Sequence, residues 1–133
     1  MILFIQKRQK RKLGESIEEE IDIKANYYLI KKEAQKAKQN NNYRKSVIFN
    51  TFAFRIICQE VLIIRNSRTI PFEDLINALR GTPKLDTRKI KTLFEIYEKA
   101  RYTADSISYD DSMKVEVILN GIIQSLNINT ENL

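Results

Sequence analysis

Val47-Ile48-Phe49-Asn50-Thr51-Phe52-Ala53-Phe54-Arg55-Ile56-Ile57-Cys58-Gln59-Glu60-Val61-Leu62-Ile63-Ile64 is the stretch on which the fold turns. Thirteen of its 18 residues are apolar, and they fall on nearly every side of a helical wheel. A helix with no polar face must be surrounded by other helices. The stretch is almost long enough to cross a bilayer, but Arg55, Gln59 and Glu60 sit within it. A central Arg costs about 2.5–3.5 kcal/mol in lipid even on the lenient insertion scale. The expectation is therefore a central helix of a bundle, running from about Tyr43 to Arg65. The β-branched run Val61–Ile64 keeps a strand open as an alternative, but the rest of the chain has too few strand signals to supply a sheet.

Upstream, Gln39-Asn40-Asn41-Asn42 is a turn signal, since Asn tolerates left-handed backbone and competes with helical hydrogen bonds. Before it, Glu15 to Lys38 holds no Pro or Gly and offers Ile17, Ile21, Ala25, Tyr28 and Ala34 for an apolar stripe. Its acids crowd the first turns and its lysines the last, which complements the helix dipole. The run Glu15, Glu18, Glu19, Glu20 and Asp22 thus reads as a helix start, not as a metal or acid/base site. Downstream, Asn66–Ile70 makes a connection and Pro71 opens a third helix over Phe72–Arg80, with Leu75, Ile76 and Leu79 inward and Gly81 as its stop. After Thr82-Pro83-Lys84, Asp86 or Thr87 caps a fourth helix carrying Ile90, Leu93, Phe94, Tyr97 and Arg101. Ser108 and Asp111 form a variant capping box for a fifth, with Val115, Ile118, Leu119, Ile122 and Leu126 as its stripe. No linker and no repeat divides the chain. The prediction is an all-α single bundle of about five helices over 15–126, an apolar and basic tail at 1–14, and a frayed end at 127–133.

A chain of 133 residues, 43% hydrophobic and 30% charged, buries enough surface for a core, which excludes fibrous and disordered classes. It has no His and no Trp, and one Cys, Cys58, inside the apolar run. Ser-His and Cys-His nucleophiles and His-based zinc sites are thereby excluded. Gly14, Gly81 and Gly121 are too scattered to cradle a phosphate, and Asp110 and Asp111 are adjacent and serve better as caps than as a catalytic pair. The expectation is no catalytic residue, no metal ligand and no cofactor.

The formal charge of +6 is unevenly placed. Lys7, Arg8, Lys10, Arg11 and Lys12 contribute +5 within the first 12 residues, and the remaining 121 carry 18 basic against 17 acidic side chains. These five bases follow the apolar run Met1–Ile5. One reading is the end of a membrane helix with its cytoplasmic basic cluster on an anionic lipid surface; the other is a disordered start leading into a basic nucleic-acid tail. A signal peptide is disfavoured because the charges follow the apolar residues. Nucleic acid also has a local argument, since Lys84, Arg88, Lys89 and Lys91 surround the start of the fourth helix of a helix-turn-helix-like unit at 72–101. The near-neutral body weighs against it.

Several motifs recur together. Ala37 ends a helix before the turn Asn40–Asn42, and Tyr43-Arg44-Lys45-Ser46 opens the long apolar helix. Pro71, Glu73 and Leu75 open a further helix. Tyr97-Glu98-Lys99-Ala100-Arg101-Tyr102 ends the fourth, and Ser108-Tyr109-Asp110-Asp111 starts the fifth. Across residues 29–126 this resembles the domain of unknown function at the C-terminus of many prokaryotic membrane-anchored proteins, often transglutaminase-like, on the cytoplasmic side of their last membrane helix. Ser46 stands where that family has Ala, and Ile70 where it has Thr. The resemblance implies a cytoplasmic accessory or docking domain with a protein partner, encoded beside AAA ATPases of the methanol-dehydrogenase-regulator type and von Willebrand A domain proteins. It implies no activity, and the transglutaminase Cys-His-Asp core is absent. The signature residues Tyr43, Pro71, Tyr97, Ala100, Arg101, Tyr102, Ser108 and Asp111 are expected to be mainly structural. Tyr97, Arg101 and Tyr102 are expected to hold the fourth helix against the third and fifth, with Glu73 or Asp74 as a carboxylate for Arg101.

Overall fold

The computed structural model of the protein describes residues 26–133. Five α-helices and one short 3-10 helix follow in order, and no strand occurs among the described residues: α1 Tyr27–Gln39, α2 Tyr43–Glu60, α3 Phe72–Leu79, α4 Thr87–Tyr102, α5 Tyr109–Ser125, and the 3-10 turn Thr130–Asn132. The tail with Lys7, Arg8, Lys10, Arg11 and Lys12, and the expected helical residues 15–25, lie outside the described part.

α1 starts where the Asn26 side chain accepts the backbone N–H groups of Tyr28 and Leu29. Its inward row is Tyr27, Ile30, Ala34 and Ala37. The expected stripe had Tyr28, but that residue is 68% exposed. With the described helix opening at Tyr27, the three- and four-residue steps through Ile30 and Ala34 put Tyr27 on the core side. The asparagine turn forms as expected: Asn41 adopts a left-handed φ of 60°, and Asn42 caps α2 by accepting from the Lys45 N–H.

Every residue of α2 from Ser46 to Cys58 is buried. α1, α4 and α5 pack directly against it. Phe54 meets Phe94 of α4 at 5.7 Å, and Phe72 of α3 stacks on Phe94 at 3.9 Å. The helix ends at Glu60, five residues before the expected Arg65. The reason lies in Arg55, which is buried and donates to the carbonyls of Ser67 at 2.8 Å and Ile70 at 2.9 Å while lying 4.3 Å over the Phe72 ring. Those carbonyls are within reach only if the chain leaves the helix and turns back. Ile63, at φ 55°, makes that departure, and the Ile64 N–H returns to the Cys58 carbonyl.

Arg44 ties α2 to the far end of α4. Its guanidinium donates to the carbonyls of Ala100, of Thr103 at 3.1 Å and of Asp105 at 2.5 Å. These groups belong to the C-terminal end of α4 and the following connection, where carbonyls lack helical partners and the dipole favours a cation. The capping box opening α5 is complete: Ser108 Oγ accepts from the Asp111 N–H and Asp111 accepts from the Ser108 N–H.

α3 stops at Leu79 with Arg80 as its cap, directly before Gly81, and the left-handed residue in the connection that follows is Lys84, at φ 70°. The end over 127–133, expected to be frayed, carries the 3-10 turn, which rests on α1, with Ile128 and Leu133 packed against the core.

Arg44→Ala is expected to destabilise the fold by about 2–3 kcal/mol, since it strands several carbonyls that share one charged donor; urea unfolding measures it, and Arg44→Lys should recover only part. Asp111 yields an acid-side prediction. Burial alone would raise its pKa, but the Ser108 N–H and the Lys99 ammonium at 3.4 Å outweigh that and hold it below its ordinary 3.8. Its stabilisation is therefore present above that value and is lost as pH falls through the lower folded one. In urea midpoints measured against pH, Asp111→Asn should start lower at neutral pH and lack this share of the acid decline.

Candidate functional site

The outer side of α5 carries two rows of residues at four-residue spacing. Asp110, Lys114, Ile118 and Ile122 form one; Met113, Val117, Gly121 and Ser125 form the other. The start of α4 stands beside them with Leu85, Asp86, Lys89 and Thr92, preceded by Lys84, and the two walls enclose a groove of about 520 Å³. Its floor is apolar, from Leu85, Met113, Val117, Ile118 and Ile122. Val117 is 62% exposed, whereas Leu119, two residues on and on the other side of α5, is fully buried in the core.

The rim is polar and mostly cationic. Lys84, Lys89 and Lys114 stand around the groove with Asp86 and Asp110. Asp86 accepts the Arg88 N–H at 3.0 Å as the cap of α4. No ion pair among the described residues joins any of the three lysines to a carboxylate. The arrangement therefore offers apolar contact flanked by ammonium and carboxylate groups, a surface suited to binding.

The sequence-predicted residues fall into separate places. Of the cluster Lys84, Arg88, Lys89 and Lys91, the first and third border the groove, whereas Arg88 and Lys91 are exposed outside its lining. The connection from α3 to α4 spans residues 80–86, longer than the three or four residues of a helix-turn-helix. Tyr97 is buried edge-on to Phe72 at 5.1 Å and Phe52 at 6.4 Å, so it holds α4 to α3 and α2. Arg101 donates to Tyr97 Oη at 3.1 Å and lies over the ring of Tyr102, which is itself exposed. Glu73 and Asp74 sit in the exposed first turn of α3. Tyr43 meets Tyr109 at 5.7 Å, Ala100 is buried, and Pro71 immediately precedes α3.

Cys58 is buried among apolar groups, and burial pushes its thiol up to about 12, so at neutral pH it is not a thiolate. A polar seam joins α1, α2 and α5: Lys31 donates to Asn50 Oδ1 at 2.7 Å and Lys38 pairs with Glu116 at 2.9 Å. Burial lowers the Lys31 pKa, and the hydrogen bond that Lys38 donates to Glu116 raises that of Lys38. Both lysines have internal partners, and the seam reads as structural. Among the described residues no cluster of three Cys, Asp or Glu side chains could hold a metal ion.

The chain matches no protein-family model, no curated protein and no solved structure. The groove was not foreseen from the sequence. Its one available signal was Gly121, a glycine inside a helical stripe, read there only as too isolated for phosphate binding.

Proposed function

We propose that this chain is a non-catalytic helical docking domain whose α4–α5 groove receives a partner protein, and that residues 1–12 hold it at an anionic membrane surface on the cytoplasmic side. The observation that carries the docking reading is the groove itself: an apolar floor left open to solvent beside a well-filled core, ringed by lysines that form no ion pair among the described residues. Exposed apolar surface with a polar rim is the usual form of an interaction site. The family resemblance of the helix ends and caps supports the same reading. The membrane part rests on the sequence alone, from Met1–Ile5 followed by Lys7, Arg8, Lys10, Arg11 and Lys12. No helix among the described residues is long and apolar enough to cross a membrane.

Photo-crosslinking in cells tests the docking site. With the reactive residue at Val117, a discrete crosslinked species is expected; at Tyr28 on α1 it should be absent, and Met113→Glu should abolish it. Matching patterns at Val117 and Tyr28 would remove the groove as the site. Crosslinks to nucleic acid from Arg88 or Lys91, with none to protein from Val117, would favour DNA binding by α4. In a vesicle arm, the full chain should sediment with phosphatidylserine-containing vesicles and not with phosphatidylcholine alone. Changing the five tail bases to Gln should abolish that, while Arg88→Gln with Lys91→Gln should not.

A further inference from the structure

Gly121 sits in the thirteenth of the 17 positions of α5, with ordinary helical backbone, and a Cβ built on it would meet nothing within 4 Å. A glycine inside a helix weakens it relative to alanine. Nothing among the described residues asks for one: no left-handed turn and no close neighbour. The backbone it bares faces the groove, one turn beyond exposed Val117 and one turn before Ser125.

We infer that the groove binds a single amphipathic α-helix of a partner protein, with its apolar residues on the floor and carboxylates along its flanks. This deepens the docking reading above and rests on it. Three features converge. The two rows of α5 at four-residue spacing are ridges, and a helix lays its own such ridge into the furrow between them, crossing at about 50°. Gly121 and Ser125 lower one ridge, so the two backbones approach closely at that end. Met113, unbranched and polarisable, adapts to the anchoring side chain at the other. Charge then selects the partner: Lys84, Lys89 and Lys114 face the groove without internal ion pairs among the described residues, against Asp86, occupied as a cap, and Asp110. Acidic flanks on the incoming helix would pair with these ammonium groups, and basic flanks would be repelled.

The test uses the full chain and two labelled 18-residue helical peptides with the same Leu positions at i and i+4, one with Glu flanks and one with Lys flanks. In fluorescence anisotropy at low salt, the Glu peptide is expected to bind at least tenfold more tightly, and the gap should narrow as salt rises. Lys84→Glu with Lys89→Glu should invert the preference. Gly121→Leu should weaken binding at least tenfold. Gly121→Ala should raise Tm by a few degrees while also weakening binding, a pairing that a merely structural glycine would not give. Equal binding of the two peptides, or binding indifferent to Val117→Glu, overturns the inference. So does concentration-dependent self-association abolished by Val117→Glu, which would assign the groove to a second copy of the chain. If Val117 still crosslinks to a protein in cells but the Glu peptide does not bind, the docking reading stands and this inference falls; loss of both removes both.

Discussion

α2 is buried on all sides and yet carries polar side chains, and the structure is organised by the need to satisfy them. Asn50 accepts from Lys31 of α1, Ser46 meets Ser112 of α5 through their hydroxyls, and Arg55 holds the carbonyls of the connection to α3. Arg44, at the rim, holds the end of α4. Each surrounding helix is thus joined to α2 by a directional contact as well as by apolar packing. An unpaired polar group in that interior would cost more than an average hydrogen bond contributes, so these contacts exclude other registers of the bundle.

Covering α2 does not require covering α5. The small hydroxyls Ser46 and Ser112 let α5 lie close against the start of α2, and its stripe Val115, Leu119 and Ile122 is used there. The opposite side keeps Met113, Val117 and Gly121 facing out beside the start of α4. The groove is therefore what remains when the core is complete. Its glycine, and its lysines without an ion pair among the described residues, are the places where the sequence departs from what the fold alone would favour.

Capping and composition were legible without a structure. Asn40–Asn42, Asp86 and the Ser108–Asp111 box act through hydrogen bonds within a few residues, and local sequence determines these. The phase of α1 is ambiguous in the sequence at Tyr27 and Tyr28, because the two are chemically equivalent and only the neighbouring helix distinguishes the buried one from the exposed one. Arg65 was a reasonable end for α2 by pattern, but the carbonyls that Arg55 reaches lie 12 and 15 residues away. The end at 127–133 looks polar by composition, and two apolar residues there, Ile128 and Leu133, suffice to dock it.

By itself the sequence determined the class of the molecule: an all-helical bundle about a central apolar helix, with no histidine chemistry and with its basic excess gathered in a tail. Periodicity, capping and charge count are properties of the chain read in order. Only the tertiary structure decided that Arg44 and Arg55 are internal fasteners while Lys84, Lys89 and Lys114 border a groove, without an ion pair among the described residues. A basic side chain has the same sequence signature in either role. What separates them is whether folding brings orphaned carbonyls within reach, as it does for the two arginines, or leaves the ammonium groups beside an uncovered apolar floor.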